Sequence, residues 1–247
     1  MADLKRYTAQ VPLGEGCLVS IEGPEHNHIA NVMRHQKGDK VILLNGDGYD
    51  YTAEIIAITK KRAQLQVLSK EKNHRHTHIR LAMLCALLKG DAGDWQAVKL
   101  SELGAHLLIP FVSKNCVVRG ESNRAERLRR AALESSKQCK RAVPMEVTEI
   151  MGFNVALDSV EDYNIKIIAY EGERKATLKE ALSGVERGIS VAVAIGPEGG
   201  FAEEEVSLAL QKGFKPVTLG KTVLKADTAA IAAASAILFE AGEWAFE

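Results

Sequence analysis

The chain predicts a small β-rich unit followed by a larger α/β domain with a mostly parallel sheet. Three observations carry this. The pattern changes after about residue 75, where short strand signals split by turn residues give way to apolar runs alternating with helical stretches. Several of those runs, over 79–88, 165–170 and 189–195, are apolar almost without interruption, as expected of strands buried on both faces. The third observation is length, since 247 residues suit one large domain or two modest ones.

The elements follow in order. In the first part, 17–21 reads as a strand and 24–34 as a short helix with Ile29, Val32 and Met33 on one side. A second strand covers 40–44. Asn45-Gly-Asp-Gly48 is a strong turn signal because these residues tolerate positive φ. Strands over 51–58 and 63–68 complete a small barrel. In the second part, the strand over 79–88 leads to a helix over 94–103 and a strand over 106–110. A polar-faced helix over 124–140 comes next, then strands over 165–170 and 189–195. Helix 203–212, strand 216–219 and an Ala-rich helix from Asp227 to about Glu240 close the chain. Alternation of this kind puts ligand sites at the carboxyl ends of the strands.

Composition narrows the function classes. Apolar residues make up 46% and charged residues 26%, which supports a sizeable core and excludes a disordered chain or a disulfide-stapled miniprotein. No apolar run approaches the ~20 residues needed to span a bilayer. The first residues lack the apolar stretch and cleavage site of a signal peptide, so the expected location is cytoplasmic. Cys17, Cys85, Cys116 and Cys139 are far apart and fit reduced thiols. In an extended segment His74, His76 and His78 would share one face, as a metal site or as a solvated linker beside basic residues; no metal is expected.

Charge is balanced overall, 32 Lys plus Arg against 32 Asp plus Glu, but it is unevenly placed. Residues 1–141 carry 23 basic and 15 acidic side chains, and residues 142–247 carry 9 and 17. The positive charge concentrates over 60–80 and over 119–141. Basic stretches on a neutral chain suit a polyanion, because each phosphate contact releases counterions; solvated helix faces are the alternative.

Two motifs carry chemistry. The strand Val191-Ala-Val-Ala-Ile195 runs into Gly196-Pro-Glu-Gly-Gly200-Phe201 and then an acidic helix start, Glu203 to Glu205. The glycines let a ligand approach main-chain atoms. The acidic turn suits the helix dipole and would repel a phosphate there. The second motif, Leu219-Gly-Lys-Thr-Val-Leu-Lys-Ala-Asp-Thr-Ala-Ala230, leaves a strand, passes a glycine and enters a helix near Asp227 or Thr228, both good N-cap types. Facing each other, these junctions would form an apolar slot with main-chain polar contacts, better suited to an adenine ring than to a triphosphate.

The two motifs at this spacing resemble the C-terminal signature of the RsmE-type methyltransferases of the SPOUT superfamily, and the resemblance extends over the whole chain. Arg6-Tyr7, residues 28–34 and Asp47-Gly48 are similar to that family's N-terminal PUA-like barrel. Ser101-Glu-Leu-Gly104 followed by Ile109-Pro110 resembles its Glu-Leu-Gly motif, and Ser136-Lys-Gln-Cys-Lys-Arg141 with Pro144 resembles its Glu-Gln-Ser/Cys-x-Arg element. The chain departs from the pattern at Lys225 and Asp227, where the family has Arg and Glu, and at Lys137, where it has Glu.

The resemblance implies a PUA-like RNA-binding unit over 1–73 and a SPOUT α/β domain with a deep trefoil knot over 74–247. It implies a homodimer that uses S-adenosyl-L-methionine to methylate N3 of a uridine in 16S ribosomal RNA of the small ribosomal subunit. Cofactor binding would fall to Tyr170, Glu171, Ile195, Gly196, Pro197, Gly199, Gly200, Leu219, Gly220, Val223 and Leu224. N3 must lose its proton, so Glu198 or Asp227 is the candidate base and Lys225 or Arg141 the candidate cation for the uracil anion. Both carboxylates have a structural alternative, Glu198 bonding its loop's own amides and Asp227 capping the helix. Arg6, Arg34, Arg75 and Arg124 are the candidate phosphate contacts. Two rival functions remain at this stage, a non-catalytic RNA-binding protein and a small-molecule α/β enzyme.

Overall fold

The computed structural model describes residues 4–118 and 123–244. Arg119, the start of the second basic stretch, lies outside the described residues. The chain forms two compact units, Met1–His76 with Ser136–Pro144, and Thr77–Ser135 with Met145–Glu247. The division falls slightly later than residue 73, and the 136–144 segment groups with the first unit instead of the second.

In the first unit, strands β1 (Arg6–Thr8), β2 (Leu18–Glu22), β3 (Lys40–Leu44), β4 (Tyr49–Ile58) and β5 (Arg62–Lys72) form one sheet. Its order is β1-β3-β4-β5-β2, so β1 and β2 lie at opposite ends and the curled sheet is a half-barrel. Only β1 and β3 run parallel. Alternate residues Val41, Leu43, Tyr51, Ala53, Ile55 and Leu65 point into one core, which Tyr7 of β1 also enters. Helix α1 (Gly23–Asn27) continues as a π-helical turn over His28–Val32. Met33 N–H donates to the His28 carbonyl at 2.9 Å, and this wider turn changes the angular step between side chains. His26 and Ile29 are therefore the buried pair while Val32 is exposed, which corrects the expected Ile29, Val32 and Met33 face.

Tyr7 anchors a polar chain that runs from this core to the surface. Its hydroxyl is 3.0 Å from His35 Nε2, and His35 Nδ1 is 2.9 Å from Asp39 Oδ2. The Gln36 amide and the His35 ring both donate to Asp39 and hold its carboxyl below the usual carboxylate range. Burial, aided by the charge of Glu25, pushes the Tyr7 hydroxyl up to about 12.

In the second unit, strands β6 (Arg80–Ala86), β7 (Leu107–Val112), β8 (Glu146–Val147), β9 (Met151–Gly152), β10 (Ile165–Ala169), β11 (Ser190–Ile195) and β12 (Lys215–Val217) form an all-parallel sheet. The order is β12-β10-β11-β6-β7-β8, with β9 also paired to β7. Helices α2 (Ala92–Leu103), α3 (Arg124–Gln138) and α7 (Ala226–Glu240) send residues into the core on one face. Helices α4 (Phe153–Asp158) and α6 (Glu203–Gln211) do so on the other, and α5 (Leu178–Ala181) is a single turn. The apolar runs account for this two-sided burial. Leu81, Met83, Val191 and Val193 face one core, and Ala82, Leu84, Ala192 and Ala194 face the other.

The titration of Tyr7 yields a test. An unfolded tyrosine titrates near 10, so stability from keeping Tyr7 protonated is complete below about pH 10 and is lost as pH rises through about 12. The melting temperature of the unaltered protein should fall more steeply over this window than that of Tyr7→Phe. Parallel alkaline limbs in thermal melts would contradict it.

Candidate active site

A parallel sheet delivers every strand's carboxyl end to one edge, so the loops after β6, β7, β10, β11 and β12 emerge together. Main-chain bonds join the β10 and β12 loops: Tyr170 N–H donates to the Val217 carbonyl at 3.0 Å, and Thr218 N–H to that of Ala176 at 2.9 Å. Tyr170 and Glu171, the 195–200 segment and the 218–224 segment therefore sit at one edge of the sheet.

The loop after β11 is built by a short turn and an aromatic anchor. Gly200 N–H donates to the Pro197 carbonyl at 2.9 Å, closing the turn. Phe201 then drops into the core beside Phe111 and Phe153, with ring centroids 6.2 and 5.0 Å away. Its ring lies against Gly196, where a Cβ would come within 3.0 Å of the Phe201 ring. Glu205 Oε2 accepts the Ala202 amide at 3.0 Å and starts α6. Glu198 is exposed, and its Oε1 accepts the Lys89 amide of the β6 loop at 3.1 Å. Its carboxylate thus bridges two loops, accepting an amide of the neighbouring loop where the structural alternative had it bond its own loop's amides.

The loop after β12 presents Gly220 to Val223 to solvent, with Val223 80% exposed, and Leu219 and Leu224 half-buried. Helix α7 is capped at Lys225, with no side-chain capping bond, so neither Asp227 nor Thr228 is the N-cap as expected. Asp227 lies in the first turn, where its Oδ1 accepts the Thr228 amide at 2.7 Å. An open groove of about 280 Å³ is lined by Leu219 and Gly220 of this loop together with Thr177, Leu178, Ala232 and Ala236. The sequence reading missed Thr177 and Leu178, because a one-turn helix such as α5 leaves no periodic signal, while Ala232 and Ala236 lie on the Ala-rich helix it did identify without naming them as lining.

Several expected residues take other roles. Arg124 is 4% exposed, and its Nη2 donates to the Leu88 and Gly90 carbonyls, the latter at 2.9 Å. It holds the β6 loop and has no surface to offer a phosphate. Arg6 forms a two-point pair with Asp50, at 2.9 and 2.5 Å, inside the first unit and is likewise withdrawn from RNA. Arg127 pairs with Asp91 and Asp94, and Arg129 with Glu149, so much of the basic face of α3 is neutralised within its own unit. Arg141 falls in the first unit and is buried, which lowers its guanidinium pKa. Arg34 and Arg75 are exposed. His76 Nδ1 meets the Asn73 carbonyl while His78 bonds Glu243, and among the described residues no three metal-ligating side chains cluster.

Main-chain loops rich in glycine, flanked by apolar side chains at the carboxyl edge of a parallel sheet, define an α/β protein with a nucleotide-type site. The family described as RNA methyltransferase domain matches residues 53–238, and the RNA methyltransferase PUA domain matches 21–68. The chain belongs to this RNA methyltransferase family. Ribosomal RNA small subunit methyltransferase E of Bacillus subtilis is 31% identical over 248 residues, covering 96% of this chain and 97% of that protein. A crystal structure of ribosomal RNA small subunit methyltransferase E from Neisseria gonorrhoeae bound to S-adenosyl methionine superposes with a TM-score of 0.86 at 26% identity, over 98% of this chain and 100% of that one. A Legionella pneumophila methyltransferase with bound SAM gives a TM-score of 0.89 at 25% identity, over 97% and 99%.

Arg124→Leu should lower the melting temperature by about 5–10 °C, since a buried charged donor worth about 2–3 kcal/mol is lost from two carbonyls. Arg34→Ala, at an exposed position, should leave it within about 1–2 °C. Differential scanning calorimetry on the two variants checks both, and equal effects would reverse the assignment of the two arginines.

Proposed function

We propose that the protein methylates N3 of a uridine in 16S ribosomal RNA of the small ribosomal subunit, with S-adenosyl-L-methionine as methyl donor. The observation that carries this is the convergence of the 195–200 and 218–224 loops at one sheet edge of an RNA methyltransferase domain. The residues fit the cofactor. A Cβ at Gly220 would meet nothing within 4 Å, so main-chain groups there are open to approach, and the exposed Val223 beside Leu219 and Leu224 offers apolar contact for an adenine ring. Main-chain groups of 195–200 and 219–224, with Tyr170 and Glu171, would hold it. When bound, it supplies an electrophilic methyl group on a sulfonium sulfur, whose bonding pair stays on sulfur as N3 takes the methyl.

The protein's own residues must free the N3 lone pair. Asp227, whose Oδ1 holds the adjacent Thr228 amide within its own helix start, is assigned to accept the N3 proton, and Lys225, beside the positive end of α7, to stabilise the uracil anion. Glu198, committed to the Lys89 amide, positions the loops. N3 lies on the pairing edge of the base, so the uridine must be unpaired or flipped out. The exposed Arg34, Lys60, Lys61, Lys72 and Arg75 of the first unit are assigned to RNA phosphates. A knotted chain path fits the return of β12 to the outer side of β10. Dimerisation through α7 fits its exposed Phe239 and the small Ala232 and Ala236 on the groove. Among the described residues no helix is long and apolar enough to cross a membrane, and we place the protein in the cytoplasm with its substrate.

The test uses small ribosomal subunits that lack the modification, incubated with the protein and methyl-labelled S-adenosylmethionine. One new reverse-transcription stop, dependent on both, is the expected result, because N3 methylation blocks pairing. Asp227→Asn should keep cofactor binding and lose about 10²–10³-fold in kcat. Absence of label and stop with folded protein would refute the activity.

A further inference from the structure

We infer that Asn115 is a positioning residue that fixes the two glycine peptides of the 196–201 loop for cofactor binding; this rests on the function proposed above. The segment after β7 makes a tight turn in which Cys116 N–H donates to the Ser113 carbonyl at 3.2 Å and Ser113 N–H meets Cys116 Sγ at 3.3 Å. Cys116 is buried in the core, so Lys114 and Asn115 form the exposed tip. That tip is fastened to the segment following β11. Lys114 N–H donates to Glu205 Oε1 at 2.9 Å, and Lys114 Nζ pairs with Glu204. Asn115 Nδ2 donates to both the Gly199 and the Gly200 carbonyls, each at 3.2 Å.

The approach is close enough to exclude a side chain from the loop. A Cβ on Gly199 would lie 3.1 Å from Asn115 Cβ and 3.2 Å from the Asn115 carbonyl oxygen. Consecutive glycines have little steric resistance to peptide rotation, and a flip exchanges the N–H and C=O that a peptide presents on either side. One amide donor on two successive carbonyls restrains both peptide planes together. The Gly200 N–H bond to Pro197 restrains the first of them from its other end. A loop that binds its ligand mainly through main-chain atoms then keeps one donor and acceptor pattern before the ligand arrives, and binding pays less ordering entropy.

The experiment is isothermal titration of the full chain with S-adenosylmethionine, using Asn115→Ala and the isosteric Asn115→Asp, which has no donor at neutral pH. The alanine variant should bind about 5–10-fold more weakly, and the aspartate variant at least as weakly, since its carboxylate faces two carbonyl oxygens. In turnover assays KM for S-adenosylmethionine should rise by a similar factor, while KM for RNA and kcat at saturation stay within about twofold. The melting temperatures of the free variants should stay near that of the unaltered protein, because Asn115 is exposed. Equal binding by the unaltered protein and both variants would overturn the inference alone, as would an aspartate variant that binds like asparagine. No binding by the unaltered protein would remove the proposed function, and the inference with it.

Discussion

The burial of Phe201 is the interaction on which the carboxyl edge depends. Strand β11 is enclosed on both faces, so the chain leaves it with nowhere to go but outward. Phe201 draws it back by placing its ring with Phe111 and Phe153, a gain of about 2–3 kcal/mol for a buried phenylalanine. Outward exit and inward return are thus separated by only the short 196–200 stretch, and that stretch must turn tightly with bare main chain. Gly196 has no side chain because the returning ring occupies its space. Gly199 has none because the β7 loop does. The glycines of this loop are consequences of packing as much as of ligand access, and the same packing makes the loop rigid enough to recognise a ligand.

Charge follows a similar logic of internal commitment. The amino-terminal excess of basic residues is partly spent within each unit, on Asp50 by Arg6, on main-chain carbonyls by Arg124, and on Asp91 and Asp94 by Arg127. Lys137 illustrates why a departure from a family pattern can be tolerated. It stands where a glutamate is usual, yet it pairs with Glu25 at 2.8 Å, and Thr8 also donates to that carboxylate oxygen. A buried cation with a carboxylate partner is tolerable, whereas one without would not be. Among the described residues, the basic side chains left exposed and without an internal partner are therefore a smaller set than the bare count of Lys and Arg indicates.

Much of this was legible in the sequence where the physical demand is local. Strands β6 and β11 announce themselves because burial on two faces needs an uninterrupted apolar run, and the loops after β11 and β12 because glycine is needed at a sharp exit. Other features depend on residues far apart in the chain. Arg6 and Asp50 are 44 positions apart and Arg124 is 36 from Leu88, so their side chains read as free cations until the fold is seen. Strands β1, β8 and β9, two or three residues long, give no periodicity that registers, unlike the equally short β12, which the sequence places at 216–219. The π-helical turn after α1 rotates Val32 to solvent in a way that a regular helical period does not anticipate.

The start of α7 shows why a capping rule can fail where chemistry is expected. Asp227 and Thr228 are both favoured N-cap types, yet the chain places Lys225 at that position, and lysine has no acceptor for the first amides. A capping bond is worth about 1 kcal/mol, and here Asp227 Oδ1, inside the first turn, takes over part of that role by accepting the Thr228 amide at 2.7 Å. The positive end of a 15-residue helix thus carries a lysine at its N-cap and a carboxylate two residues on. An asparagine or serine cap would satisfy those amides and remove the cation in one step. On the function proposed above, a base that must lose a proton and carry negative charge while it is methylated needs an electropositive surface with one proton acceptor in it, and that is the role assigned to Lys225 and Asp227 at this helix start.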